Sequence, residues 1–473
     1  MKKYLVSFLL SVVAKCAFCQ QPTVFTPAQL LEDHQVLISA LQELHPGLYR
    51  YLSKQEFDRL DKQLRLKLNK PMTEESYYRL VMPLIAQLKC GHTKWHRKDR
   101  PDDRYAFRQD DLFPLKLYFA GGRAYVLKNY HAKDMLAAGT EIISINGRKI
   151  PDLMRQLHKV ITIDGNVQST LYAELNQSFN GYYASFIETA PVYTVAFKEG
   201  SGKKQVKLPK VSLEIIRDSE AREKENSRPP LEISMPKAGT AVLRIDRFYT
   251  NKTERDFYAF IDSAFLAIKQ ASINALIIDL RNNEGGKEEY GGYLYSYLAS
   301  KPFVYYRKIT VASNKTPSVR QYAQFFPGYE QALTHVQEKD GEYLWPMQEY
   351  LAQKTPKPNA FNGKVYILTN GFSFSVTAEF ASTAKTEKRA IFIGEETGGA
   401  YQGNNSGVFA QVVLPNTKLM TGIPLLGFYM NIDSSLQKDR GIQPDILKIP
   451  TVQDMLMGRD IVMENALEEA AKN

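Results

Sequence analysis

KVYILTNGFSFSVTAEFASTAK, residues 364–385, changes character twice. Lys364–Thr369 is an apolar run of strand length, Asn370–Phe374 has turn composition, and helical spacing begins near Ser375. A serine at the first turn of a helix faces backbone N–H groups and the positive end of the helix dipole. An oxyanion forming there meets aligned donors. The plain alternative is that serine is a favoured N-cap and only caps. Upstream, IIDLRNNEGG (277–286) has a related form, a buried apolar strand running into a Gly-Gly turn. Such a turn lets backbone approach a ligand closely and turn an N–H toward a carbonyl oxygen, although on its own it is equally a tight turn.

Outward from these segments, strand patterns at Thr240–Ile245, Ala275–Leu280, Lys364–Thr369 and Ala390–Gly394 alternate with helical patterns at Thr253–Lys269 and Tyr290–Leu298. That alternation predicts an α/β core with helices covering the sheet. Toward the N-terminus, residues 217–230 are charged and end in Pro229-Pro230, which reads as a linker. Residues 113–210 are strand-rich: Leu115–Phe119 and Arg123–Leu127 flank Gly121-Gly122, and Val192–Phe197 and Gln205–Leu208 flank a Gly-Ser-Gly turn. Thr26–Leu88 is helical, with capping boxes expected at Thr26 and Ser53, a kink or stop at Pro83 and a C-terminal cap at Gly91.

Residues 1–19 have the layout of a secretory leader, with Lys2 and Lys3, an apolar run Tyr4–Ala14 and small residues at Ala17 and Cys19. The run is short for a membrane span, which takes about 20 residues. Cleavage near Gln20, export and a soluble product without stable membrane insertion are therefore expected. Cys90 would then be the lone cysteine, so no intramolecular disulfide is expected. The formal charge of +10 is dispersed without long basic runs, which argues against nucleic acid as a partner. No P-loop ending follows the glycine turns, and Cys90, His92 and His96 lack the paired spacing of a structural zinc site; neither a metal nor another cofactor is expected.

Taken together, IIDLRNNEGG and Ser375-Val376-Thr377-Ala378-Glu379-Phe380-Ala381 resemble the defining core of the carboxyl-terminal processing peptidase and tricorn family of serine peptidases. Gly394-Glu395-Glu396-Thr397-Gly398-Gly399 and Gly441-Ile442-Gln443-Pro444-Asp445 look like two further motifs of that family, and AAGTEIISINGRKI (137–150) resembles part of a PDZ domain. The resemblance implies a crotonase-like α/β core of stacked β-turn-α units over 231–455. It adds a PDZ-like β-rich domain over 111–215 and an N-terminal helical region over 20–110.

It also implies site residues. Ser375 is the expected nucleophile, preferred over Ser373 by alignment on the Phe-Ala pair. The Val376 N–H, with that of Gly285 or Gly286, is expected to form the oxyanion hole. Ala400 occupies the place of the lysine base of the bacterial processing peptidases, and Lys385 and Lys388 read as solvated lysines. The lysine-free, tricorn-like branch carries a histidine in a DGH-T string, here Cys90-Gly91-His92-Thr93. His92 is thus the expected base, with His96 as the alternate and His45 structural. The orienting acid falls to Asp439, beside Lys438 at the family's glutamate position, with Glu395 and Glu396 as turn residues. The implied activity is an exported endopeptidase acting through an acyl-enzyme on peptides or unfolded protein, the PDZ-like segment receiving a carboxyl terminus by strand addition. The competing reading is a non-catalytic binding protein for peptides or apolar ligands on the same scaffold. A thioester enzyme is disfavoured by the serine motif and by export.

Overall fold

Ala275–Asp279 reads ALIID, and each of its residues is buried. That is the mark of a parallel strand covered on both faces. In the computed structural model, which describes residues 22–131, 135–224, 228–433 and 437–472, it lies at the centre of a six-stranded sheet. The expected leader lies outside the described residues. Thr240–Ile245, Ala275–Asp279, Lys364–Thr369, Ile391–Gly394 and Ile446–Leu447 run parallel, and Leu231–Lys237 joins the edge antiparallel. Alternation along each strand sends Leu276, Ile278, Val365 and Ile367 to one face, packed by Phe260 and Phe265, Leu294 and Phe380. Ala275, Ile277, Tyr366 and Leu368 go to the other, under Val462, Ala466 and Ala470 of the helix Ile461–Ala471. The crossover helices are Phe257–Gln270 and Val376–Thr386.

A second sheet is built on the long hairpin Asn405–Val413 and Leu419–Met430, with Tyr306–Val311 beside it. The short strand Lys94–Arg97 pairs antiparallel with Leu419–Gly422, which ties the N-terminal region to this sheet. The helices Pro27–Leu44, Lys54–Lys67 and Glu74–Gln87 share an apolar cluster with Ala410, Val412, Leu419 and Ile423. A third sheet orders Leu115–Ala120, Arg123–Asn129, Glu141–Ile145, Val192–Glu199 and Gly202–Pro209, with the Asn146-Gly147 turn leading to the partner strand Arg148–Lys149.

Four local expectations are corrected. Glu74–Gln87 does not stop at Pro83 but continues through it, because Tyr77, Tyr78, Val81, Met82, Leu84 and Ile85 all bury in one cluster. That burial outweighs one lost backbone hydrogen bond. The left-handed residue after this helix is Lys89, at φ 53°, not Gly91. Ser53 caps Glu56 N–H without the reciprocal bond of a full box, which does form at Thr26. Most of the charged stretch read as a linker belongs to the helix Leu213–Lys224.

One edge of the third sheet bears on function. Along Phe113–Phe119 the backbone is already paired by side chains of the helix Ser169–Phe186. Asn180 Nδ2 donates to Phe113 O and Leu115 O, and Asn176 Oδ1 accepts Phe119 N–H at 2.6 Å. Edge strands need such cover to avoid unwanted pairing. A cavity of about 960 Å³ lies between this strand and the six-stranded sheet, lined by Tyr118, Asn176, Arg244 and Asn370 among others; neither Ser375 nor His92 lines it.

Candidate active site

Two parallel strands of the core end side by side, at Asp279 and Thr369, and the turns that follow are stitched together. Asn370 Oδ1 accepts the N–H groups of Asn282 (2.9 Å) and Phe372 (3.1 Å), while its amide donates to Asn282 Oδ1 at 2.8 Å. Phe374 N–H donates to Asn283 O at 3.0 Å. Ser373 is fully buried, accepting Asn370 N–H at 3.0 Å and donating to Leu280 O at 2.9 Å. Both capacities of its hydroxyl are used in holding the turn.

Ser375 is different. It precedes the helix Val376–Thr386 at φ 58°, ψ −128°, and its side chain makes no capping bond. A non-glycine residue held at such angles is strained, and strain of this kind concentrates at functional turns. The backbone at Gly285 makes the approach possible: a Cβ there would lie 2.7 Å from Ser375 Cβ and 3.0 Å from Val376 N, at φ 101°. Ser375 Oγ lies 3.1 Å from His92 Nε2, across 283 positions of sequence.

His92 occupies the loop between the helix Glu74–Gln87 and the strand Lys94–Arg97. Thr93 N–H closes the loop on Cys90 O at 3.2 Å, and His45 Nε2 lies 3.1 Å from Thr93 Oγ1. His45 therefore holds the residue next to His92, in keeping with a structural role. The Phe374 ring stacks on the imidazole with centroids 4.5 Å apart. Burial, helped by the Lys94 charge, lowers the His92 pKa to about 3, so the ring is neutral at neutral pH and Nε2 is open to a proton. His96 is buried on the strand, and neither ring nitrogen has a hydrogen-bond partner among the described residues.

Two expected members of the site stand elsewhere. Asp439 does not bond His92: its carboxylate takes Asn166 Nδ2 and its carbonyl the Asn166 N–H, while His92 Nδ1 has no hydrogen-bond partner among the described residues. The sequence offset from the closing motif put an acid in the right segment, but the loop 164–166 lies between. Gly285 is not a free donor, because its N–H is given to Asn283 Oδ1 at 2.9 Å. Its contribution is space. Among the described residues the N–H groups of Gly286 and Val376 make no such bond.

The motif acids have other duties. Glu396 accepts Arg440, Gly441 N–H and Gln168 N–H, and Asp445 pairs with Lys385 and accepts Phe392 N–H. Lys385 is thus an ion-pair member and not simply a solvated lysine. Glu379, one helical turn after Ser375, is buried between Tyr306 OH (2.6 Å) and Asn404 Nδ2 (2.8 Å). Cys90 is buried against Asn405 O, and among the described residues no group of three or more His, Cys, Asp or Glu is arranged to hold a metal. Sequence reasoning missed Asp164, whose Oδ1 accepts Gly91 N–H at 2.8 Å. The Asp164-Gly165-Asn166 turn string was its only signal.

Strand-end turns that bring a strained serine to a neutral histidine define a serine-type hydrolase, and the comparisons give its class. Residues 239–447 match the model of peptidase family S41. The chain is a serine-type peptidase with a peptidase family S41 domain, in line with the resemblance drawn from its motifs. Mature CPAF is 16% identical over 94% of this chain and 96% of its own, with a TM-score of 0.65; CPAF complexed with lactacystin gives 16%, 94%, 97% and 0.65. At that identity the likeness shows a shared fold. The photosystem II D1 C-terminal processing protease is 14% identical over 89% of this chain and 92% of its own, with a TM-score of 0.41. No curated protein matches the chain.

Proposed function

We propose that the chain is an exported endopeptidase that cleaves peptides or unfolded protein segments through an acyl-enzyme, with Ser375 as nucleophile and His92 as its general base. The observation that carries this is the 3.1 Å approach of Nε2 to Oγ, within the reach a general base needs. In the first step the Ser375 O–H proton passes to Nε2 while Oγ bonds to the carbonyl carbon. The oxyanion is received by the N–H groups of Val376 and Gly286, at the positive end of the serine helix. The imidazolium returns its proton to the leaving amine, the C–N bond breaks, and a water activated by the same nitrogen releases the acyl group. A crotonase-like core is supported by the parallel strand, turn and helix units that carry both turns, and a PDZ-like domain by the strand-rich segment over 111–215. Strand addition of a carboxyl terminus along Phe113–Phe119 has little support, because Asn176 and Asn180 already occupy that edge.

The test is labelling of the purified chain by a fluorophosphonate, with the modified residue located by mass spectrometry. Ser375 is expected to be modified in the wild type, with no labelling in Ser375→Ala and little in His92→Ala. An unlabelled wild type, or label retained in Ser375→Ala, would refute the assignment. Export rests on the leader alone: the mature N-terminus from expressing cells should lie near Gln20, and a secreted or periplasmic fraction lacking the protein would remove that part.

A further inference from the structure

His92 has lost its expected partner, yet the loop that carries it is held firmly. Asp164 Oδ1 accepts Gly91 N–H at 2.8 Å, Gly165 N–H donates to Lys89 O at 3.0 Å, and Lys89 Nζ bonds Asn166 Oδ1. Asn166 is in turn the residue that takes Asp439, backbone and side chain. The segment Asp164–Asn166 therefore stands between the closing motif and the histidine loop and grips both.

Gripping a glycine N–H calls for an acceptor, which an asparagine or serine supplies without charge. Asp164 supplies a carboxylate, and it does so at 2% exposure with Oδ2 lacking a hydrogen-bond partner among the described residues. A buried carboxylate that is bonded on one side only is costly unless its charge serves something. Its surroundings do not neutralise it. The Arg50 and Lys94 charges face it and so do Tyr51, Cys90 and Glu379, but neither cation forms an ion pair with it. Arg50 is turned to Phe428 O and the Tyr429 ring. The Ala400 N–H also faces the carboxylate and helps to lower its pKa.

We propose that Asp164 is the positioning residue of this site: its carboxylate anchors the peptide that carries His92 and provides the buried negative charge toward which the imidazole becomes positive. The inference rests on the serine–histidine reading given above. When the Ser375 proton moves to Nε2, the positive charge stays on the imidazole and Asp164 remains a carboxylate; no proton passes to it. Burial raises the Asp164 pKa to about 6, against the lowering of His92 to about 3. On acidification Asp164 is thus protonated first, while His92 is still neutral, and the acid limb of activity near pH 6 belongs to the aspartate.

The experiment compares the full chain with Asp164→Asn, which keeps an acceptor for Gly91 N–H and removes only the charge. Fluorophosphonate labelling rates and p-nitrophenyl acetate hydrolysis are measured between about pH 4 and pH 8. Asp164→Asn is expected to lower kcat about 100-fold with KM unchanged, and to lose the limb near pH 6. Wild-type kcat with the same limb in Asp164→Asn would overturn the proposal while leaving Ser375 and His92 in place. An unlabelled wild type, or one indifferent to His92→Ala, would instead overturn the underlying reading and this proposal with it. If Asp164→Asn does not fold, ¹⁵N spectra of the histidine rings in the unsubstituted protein decide. His92 nitrogen shifts should show a transition near pH 6, and a flat response across that range would sink the idea.

Discussion

Ser375 sits at backbone angles that glycine adopts freely and serine does not. Its hydroxyl caps nothing, so Ser375→Ala should abolish labelling with hardly any change in Tm. Ser375→Gly should abolish it as well and raise stability by about 1 kcal/mol through relief of that strain. Thermal unfolding of the pair checks this, and a glycine variant less stable than the alanine variant would contradict it. Gly285→Ala should act in the opposite sense. Its Cβ would press on Ser375 Cβ and Val376 N at a left-handed φ, so stability falls by about 1–3 kcal/mol and labelling falls with it; an active, stable alanine variant would show that the turn has room to spare. At this scale much was legible before any coordinates. Ser375 and His92, which approach to 3.1 Å, lie in contiguous motif strings, so their neighbours in sequence single them out as candidates. The acid proposed to hold the histidine loop was not legible, because its place depends on which loop wedges against Gly91, and Asp164 meets Gly91 N–H only in three dimensions.

The serine helix carries a second buried acid, Glu379, whose pKa is raised from 4.5 to about 7, chiefly by burial. A carboxyl with a raised folded-state pKa stabilises the fold most in its neutral form. That contribution is fully present below about pH 4.5 and is lost as pH rises through about 7. Glu379→Gln should therefore gain Tm on the wild type progressively from pH 5 to pH 8, and a gap in Tm that does not change with pH would exclude this. The elements themselves were mostly readable. Thr240–Ile245 and Lys364–Thr369 appear where the apolar runs placed them, because uninterrupted apolar residues at Ala241–Leu243 and Val365–Leu368 mark strands that bury on both faces. The long strands Asn405–Val413 and Leu419–Met430 were not read; their glycines and Pro424 disguise strands whose stability comes from pairing with distant segments.

Across the whole molecule the N-terminal helices and the second sheet share one apolar cluster, with Trp95 fully buried inside it. They should accordingly lose structure together. In a Trp345→Phe background, where Trp95 is the remaining tryptophan, its fluorescence transition should coincide with the far-ultraviolet transition that reports the secondary structure of the whole chain. A Trp95 midpoint well below it would mean that the helices melt alone. Such long-range sharing was the least legible property of the sequence, since no local pattern announces that Lys94–Arg97 will pair with Leu419–Gly422. That pairing also sets a schedule. A ribosome making this chain releases the histidine loop early, the serine turn much later, and the strand that holds the histidine loop in place later still. A polypeptide that has emerged only as far as the serine turn therefore has no assembled centre with which to cut itself or its neighbours, and cleaving power waits for the strand that pairs with Lys94–Arg97.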